Sequence, residues 1–144
     1  MIESNDITRL VEESLKTKIT TAVYPWSIPV YLSDESAMKG DMPYIVIHVE
    51  NGTEYQGAPG SGIFNVVADI LFRSHLKTET PEDRSAVIVA MNNIAYSNAA
   101  VELSNDNLTV YGFIPEATGA ITANVELKAY EYRSKWRIIC TPTA

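Results

Sequence analysis

His48, His75 and Cys140 are the side chains in this sequence most able to do chemistry at neutral pH. His48 falls inside an apolar run that reads as a strand, and His75 lies just beyond the next one. Neither has a neighbouring His or Cys, so no metal-ligand spacing exists. Both are read as structural or solvent-exposed. A nucleophilic Cys140 would need a base beside it, and the sequence points to none. A buried thiol acting as a small hydrophobe is the plainer reading. The run Gly57-Ala-Pro-Gly-Ser-Gly62 superficially resembles a phosphate loop. It precedes a strand rather than a helix, lacks the Gly-Lys-Ser/Thr ending, and loses a donor to proline. It reads as flexible turn chemistry. Asp69, alone in an apolar strand, offers no acid–base pair and is expected to face solvent or pair with Arg73. No catalytic residue, cofactor site or metal ligand is predicted, and the chain reads as a non-enzyme.

The aromatic residues suggest contact rather than catalysis. Tyr130, Tyr132 and Trp136 share one parity of the last apolar segment, with Glu131 and Arg133 between them. Core packing explains that set, yet interfaces are also enriched in Trp, Tyr and Arg. Trp26 and Tyr55 sit among prolines and glycines. The residues expected at a subunit or partner contact are Trp26, Tyr55, Gly57, Pro59, Glu116, Tyr130, Tyr132 and Arg133.

These residues need a frame. One domain spanning residues 1–144 fits the length. A domain of this size buries roughly 68–70% of its unfolded surface, and 46% apolar residues suffice for a core. One cysteine cannot form an internal bridge. The first residues lack a positive n-region, and no apolar run approaches the ~20 residues of a membrane span. The sequence thus predicts a soluble protein made in a cytoplasm, without membrane attachment. A net charge of −7 and a pI near 4.7 disfavour tight duplex DNA binding, which relies on clustered bases. DNA could slide past such a surface without sticking.

Ser4, Asn5 and Asp6 supply capping oxygens. Ile7, Leu10, Val11, Leu15 and Ile19 then form one stripe of a helix over about 5–20, ended by Thr20-Thr21 and Pro25. Residues 24–43 read as irregular, with a short edge strand at Val30-Tyr31-Leu32. Strands are expected at Tyr44–Glu50 and Ile63–Arg73. Phe64, Val66, Ala68, Ile70 and Phe72 share one face, and the opposite face is only partly dry. Asn51–Gly62 between them reads as a projecting arm. Thr80-Pro81-Glu82-Asp83 is a strong helix start. The helix runs to about Tyr96, with Val87, Ala90, Met91 and Ile94 inward and Asn92-Asn93 outward. Leu108–Ile114 is a strand, and Pro115–Thr122 a second projecting loop. The apolar phase changes near Ala129-Tyr130, which predicts a bulge or break there. Tyr130–Thr141 is favoured as one long strand, with a turn at Arg133-Ser134-Lys135 as the alternative. The predicted class is α+β, order α-β-β-β-α-β-β: a mostly antiparallel sheet with two helices on one face.

Order and spacing together resemble a known family. The N-terminal helix leads to Val23-Tyr24-Pro25, then to Met42-Pro43-Tyr44-Ile45-Val46-Ile47. A Gly-containing loop follows, then a strand ending Ile70-Leu71-Phe72-Arg73-Ser74, the helix at Thr80-Pro81-Glu82-Asp83, and two strands. Across nearly the whole chain this resembles the tail terminator, or tail completion, proteins of long-tailed bacteriophages and related neck and minor tail proteins. Gly112–Ala129 and Asn51–Gly62 are longer than that pattern. The resemblance implies a virion structural protein at the head–tail junction, made in the bacterial host. It implies a six-membered ring that ends tail-tube polymerisation and meets tail tube and head connector proteins while DNA passes through unbound. A neck adaptor, head-completion or minor tail protein is the alternative; a small enzyme or ligand-binding domain is a third reading.

Overall fold

A computed structural model describes residues 4–32, 43–50, 53–54, 62–75, 81–97, 103–118, 121–125 and 129–142. The expected stripe folds as α1 (Ser4–Ala22), with Ile7, Val11, Leu15 and Ile19 fully buried. Pro25 forces a 3-10 turn, Tyr24–Trp26, closed by Ser27 in the left-handed region at φ 53°. The strands are β1 (Val30–Leu32), β2 (Tyr44–Val49), β3 (Thr53–Glu54), β4 (Phe64–His75), β5 (Leu108–Thr118), β6 (Thr122–Asn124) and β7 (Ala129–Pro142), with α2 (Pro81–Ser97) between β4 and β5.

The fold is α+β as expected, with β3 and β6 as two short additions. The strands form one sheet in the order β1-β2-β4-β7-β5; β3 adds to β4 and β6 to β7. Every pairing is antiparallel except β1 with β2. β4 and β7, 12 and 14 residues long, form the spine. At ~3.4 Å per residue each extends about 40 Å or more, well beyond an ordinary strand.

Alternation assigns the faces. Ile45 and Ile47 of β2, Phe64, Val66, Ala68, Ile70 and Phe72 of β4, and Tyr132, Trp136, Ile138 and Cys140 of β7 point into one core with both helices. α1 lies across β1, β2 and β4. Its Ser14 hydroxyl donates to the Leu103 carbonyl at 2.6 Å, tying the first helix to the segment before β5. α2 supplies Val87, Met91 and Ile94 to that core.

Several expectations need correction. β7 faces β4 in unbroken register from Ala129 to Cys140, so there is neither a bulge at Ala129-Tyr130 nor a turn at Arg133-Ser134-Lys135. The phase change arises because exposed Val125 lies beyond β6, in the turn before β7. The irregularity sits instead in the partner strand. β5 shifts by one residue against β7 between Val110 and Gly112 and again between Pro115 and Ala117. Residues 115–118 are therefore strand, not loop, and Thr122 already belongs to β6. Thr53 and Glu54 of the expected arm pair with Asn65 and Phe64. Thr80 and the rest of the arm before Gly62 lie outside the described residues; α2 begins at Pro81, the favoured first helical position. Asn92 does not face solvent: half-buried, it donates from Nδ2 to Tyr132 Oη at 2.8 Å, while Asn93 is exposed.

Candidate functional site: the bare sheet face and its edges

Both helices pack on one side of the sheet, and no described element covers the other. Cross-strand partners share a face, so the register lays the bare surface out in rows. One row runs Tyr31, Val46, Leu71, Arg133 across β1, β2, β4 and β7. The next runs Tyr44, Arg73, Glu131, Thr122, and on the other side of the first runs His48, Asp69, Lys135. Tyr44 and Leu71 are buried despite facing no helix. The Arg73 side chain lies over the Tyr44 ring, as Arg stems do on apolar surface.

A polar belt ties the strands together across this face. Arg73 Nη1 donates to Tyr44 Oη at 2.6 Å, its guanidinium carbon lies 5.6 Å from the Tyr44 ring centre, and Nη2 is 3.3 Å from Glu131 Oε1. Asn124 Nδ2 donates to the same Glu131 oxygen at 2.7 Å. At the far end, the Tyr31 and Tyr44 rings are 6.3 Å apart. Five strands are cross-linked by side chains without any core between them. Asp69 pairs with Arg133 at 3.6 Å, not with Arg73. Residues four apart in a strand are ~13 Å apart, whereas neighbours across strands are within reach.

The edges are blunt. β1 has three residues and follows Pro29, whose carbonyl accepts from Ile45 N–H at 3.0 Å. Along the other edge Tyr111 and Glu116 are the extra residues of the two shifts. From Thr118 to Thr122 this edge advances four residues while β7 advances three, Ser134 to Glu131. Bulges and prolines interrupt the row of backbone donors that would otherwise template another strand. What these edges do present is apolar surface. Tyr111 is 60% exposed, Ile114 49%, Ile121 43% and Val125 80%, all on the β5–β6 edge or the turn after it. Before β1, Tyr24 is 77% exposed.

The expected contact residues separate on this frame. Arg133 is exposed on the bare face. Tyr130 is half-buried at the start of β7, with Arg84 of α2 stacked on its ring at 4.1 Å. Glu116 sits at a bulge of β5. Tyr132 is corrected: it is buried in the core, as the alternation of β7 requires. Trp26 packs half-buried against the core, and its neighbour Tyr24 is the exposed aromatic of that turn. Tyr55, Gly57 and Pro59 lie outside the described residues. Sequence reading missed Tyr24, Tyr111, Ile114 and Val125. Only the bulges decide which β5 residues turn outward, and no local signal marks a bulge opposite a straight strand.

Cys140 lies buried on the core face, and burial pushes its thiol up from 9.0 to about 12. Among the described residues no three His, Cys, Asp or Glu side chains gather as metal ligands, and no helix is long and apolar enough to cross a membrane. No protein-family model matches the chain, and no curated protein is significantly similar to it in sequence.

Proposed function

We propose that this chain is a virion structural protein of the tail-terminator kind, which closes into a ring at the head-proximal end of a phage tail tube. The ring ends tube polymerisation and offers a surface to the head connector, while DNA passes through its bore. The observation that carries this reading is the bare, half-dry sheet face bounded by exposed apolar side chains. Several large apolar side chains exposed together, as Tyr111, Ile114, Ile121 and Val125 are along the β5–β6 edge, support an interaction surface. The element order supports the resemblance drawn from the sequence. The rigid belt from Tyr31 to Asn124 gives that face a fixed shape, as a docking surface needs. On this reading the protein works by binding other chains, without a reaction or a cofactor.

Native mass measurement of the purified full-length chain tests the proposal. Closed rings, or oligomers that grow with concentration, are expected. A strict monomer at high concentration that also fails to cap tail tubes would contradict it.

A further inference from the structure

The two helices are seated differently on the sheet. α1 presents Ile7, Val11, Leu15 and Ile19, all fully buried, and its backbone comes close to β1, β2, β4 and β7. Among the described residues, the backbone of α2 comes close to α1 and β5 rather than to β4 or β7, so side chains span the gap. Val87, Met91 and Ile94 reach the core, but two polar latches lie beside them. Arg84 holds its guanidinium carbon 4.1 Å from the Tyr130 ring centre, and Asn92 donates to Tyr132 Oη at 2.8 Å. On the core face Ser74 lies opposite Tyr130, and Ser134 follows Tyr132. Ser74 and Ser134 are 1% and 0% exposed, and their hydroxyls, with Asn92 Oδ1, have no hydrogen-bond partner among the described residues. Each such atom disfavours the seated state by roughly five- to a hundredfold relative to one that reaches water. The outer face of α2 adds no support. Ser85, Ala86, Val89 and Asn93 are exposed there, and no residue in 85–97 is charged, so no ion pair forms like Arg9–Glu13 on α1.

We infer that α2 is a releasable cover: it lifts from β7 as a unit while α1 and the β4–β7 spine stay folded. Lifting brings the three unpaired atoms to water. It also exchanges the Asn92–Tyr132 bond for bonds to water, a small net change in free energy. Burial of Val87, Met91 and Ile94 opposes the motion, so the seated helix is the ground state. Anchors on either side limit the moving unit. β4 is paired through His75, and Leu103 is buried with its carbonyl held by the Ser14 hydroxyl of α1. Local opening of this kind belongs to elements with few dry contacts. It uncovers a strip of Ser74, Tyr130, Tyr132 and Ser134, on the side of the sheet opposite the bare face. The inference concerns the single chain and stands apart from the ring reading.

Native-state hydrogen exchange of the wild-type, full-length chain tests this. Amides of residues 84–94 are expected to exchange at least about tenfold faster than those of residues 7–19 and of the paired stretches of β4 and β7. Their exchange is also expected to depend only weakly on denaturant, because a lifted helix exposes little surface compared with global unfolding. Tyr132→Phe, which removes one latch, is expected to speed exchange in α2 a further several-fold. Protection in α2 equal to that of the spine, or exchange there with the denaturant dependence of global unfolding, would overturn the inference in the wild type alone. So would an α1 that exchanges as fast as α2, since both helices would then leave together. An α2 whose exchange Tyr132→Phe leaves unchanged would contradict the latch. None of these results bears on whether copies of the chain form rings.

Discussion

Ser134 shows how a single residue can cost stability inside a regular strand. It lies on the core face of β7 opposite Ile70, fully buried, and its hydroxyl has no hydrogen-bond partner among the described residues. An unpaired buried hydroxyl costs about 1–3 kcal/mol. Ser134→Ala should therefore leave stability unchanged or raise it by about 1 kcal/mol in chemical denaturation. Tyr132→Phe should act oppositely, because Tyr132 Oη accepts the Asn92 amide. Losing that acceptor strands a half-buried donor, and a fall of about 1 kcal/mol is expected. Cys140 gives a pH prediction with a definite sign. Its thiol is near 12 when folded and 9.0 when exposed, so the unfolded chain ionises first. Stability from this group is complete below pH 9 and declines from there through the folded value. Thiol reagents at pH 8 should label Cys140 only after denaturation; rapid labelling of the native protein would show that β7 opens.

At the level of elements, the unbroken pairing of β4 with β7 is the spine of the sheet and joins the rows of the face opposite the helices. Trp136 and Ile138 anchor it from the core side. Trp136→Ala should cost about 3–5 kcal/mol, read as a lower denaturation midpoint, with loss of the whole sheet rather than one edge. Much of this frame is legible in the sequence. Ile7 to Ile19 repeat at helical spacing, Phe64 to Phe72 alternate, and Pro81 marks where α2 begins. Those signals are local, and burial reinforces them. The β5–β6 edge is not legible in the same way. Its phase changes at Tyr111 and Glu116 follow from pairing with a straight β7, and pairing is a tertiary fact. For the same reason Asp69 finds Arg133 rather than Arg73. On β7, alternation turns Arg133 outward and Tyr132 into the core, a division that parity alone makes legible.

For the whole molecule, the proposed function is one of surfaces. Arg133, Lys135 and Arg137 alternate along β7 on the face that no described element covers. On the proposed ring reading, a net charge of −7 would let DNA pass without adhering, so fluorescence anisotropy at physiological salt should find negligible duplex binding; submicromolar affinity would contradict a passive bore. Electron micrographs of the purified chain, alone and added to growing tail tubes, should show closed rings, six-membered by the resemblance, seated on tube ends that no longer elongate. Isolated globules that leave tube growth unchanged would contradict the account.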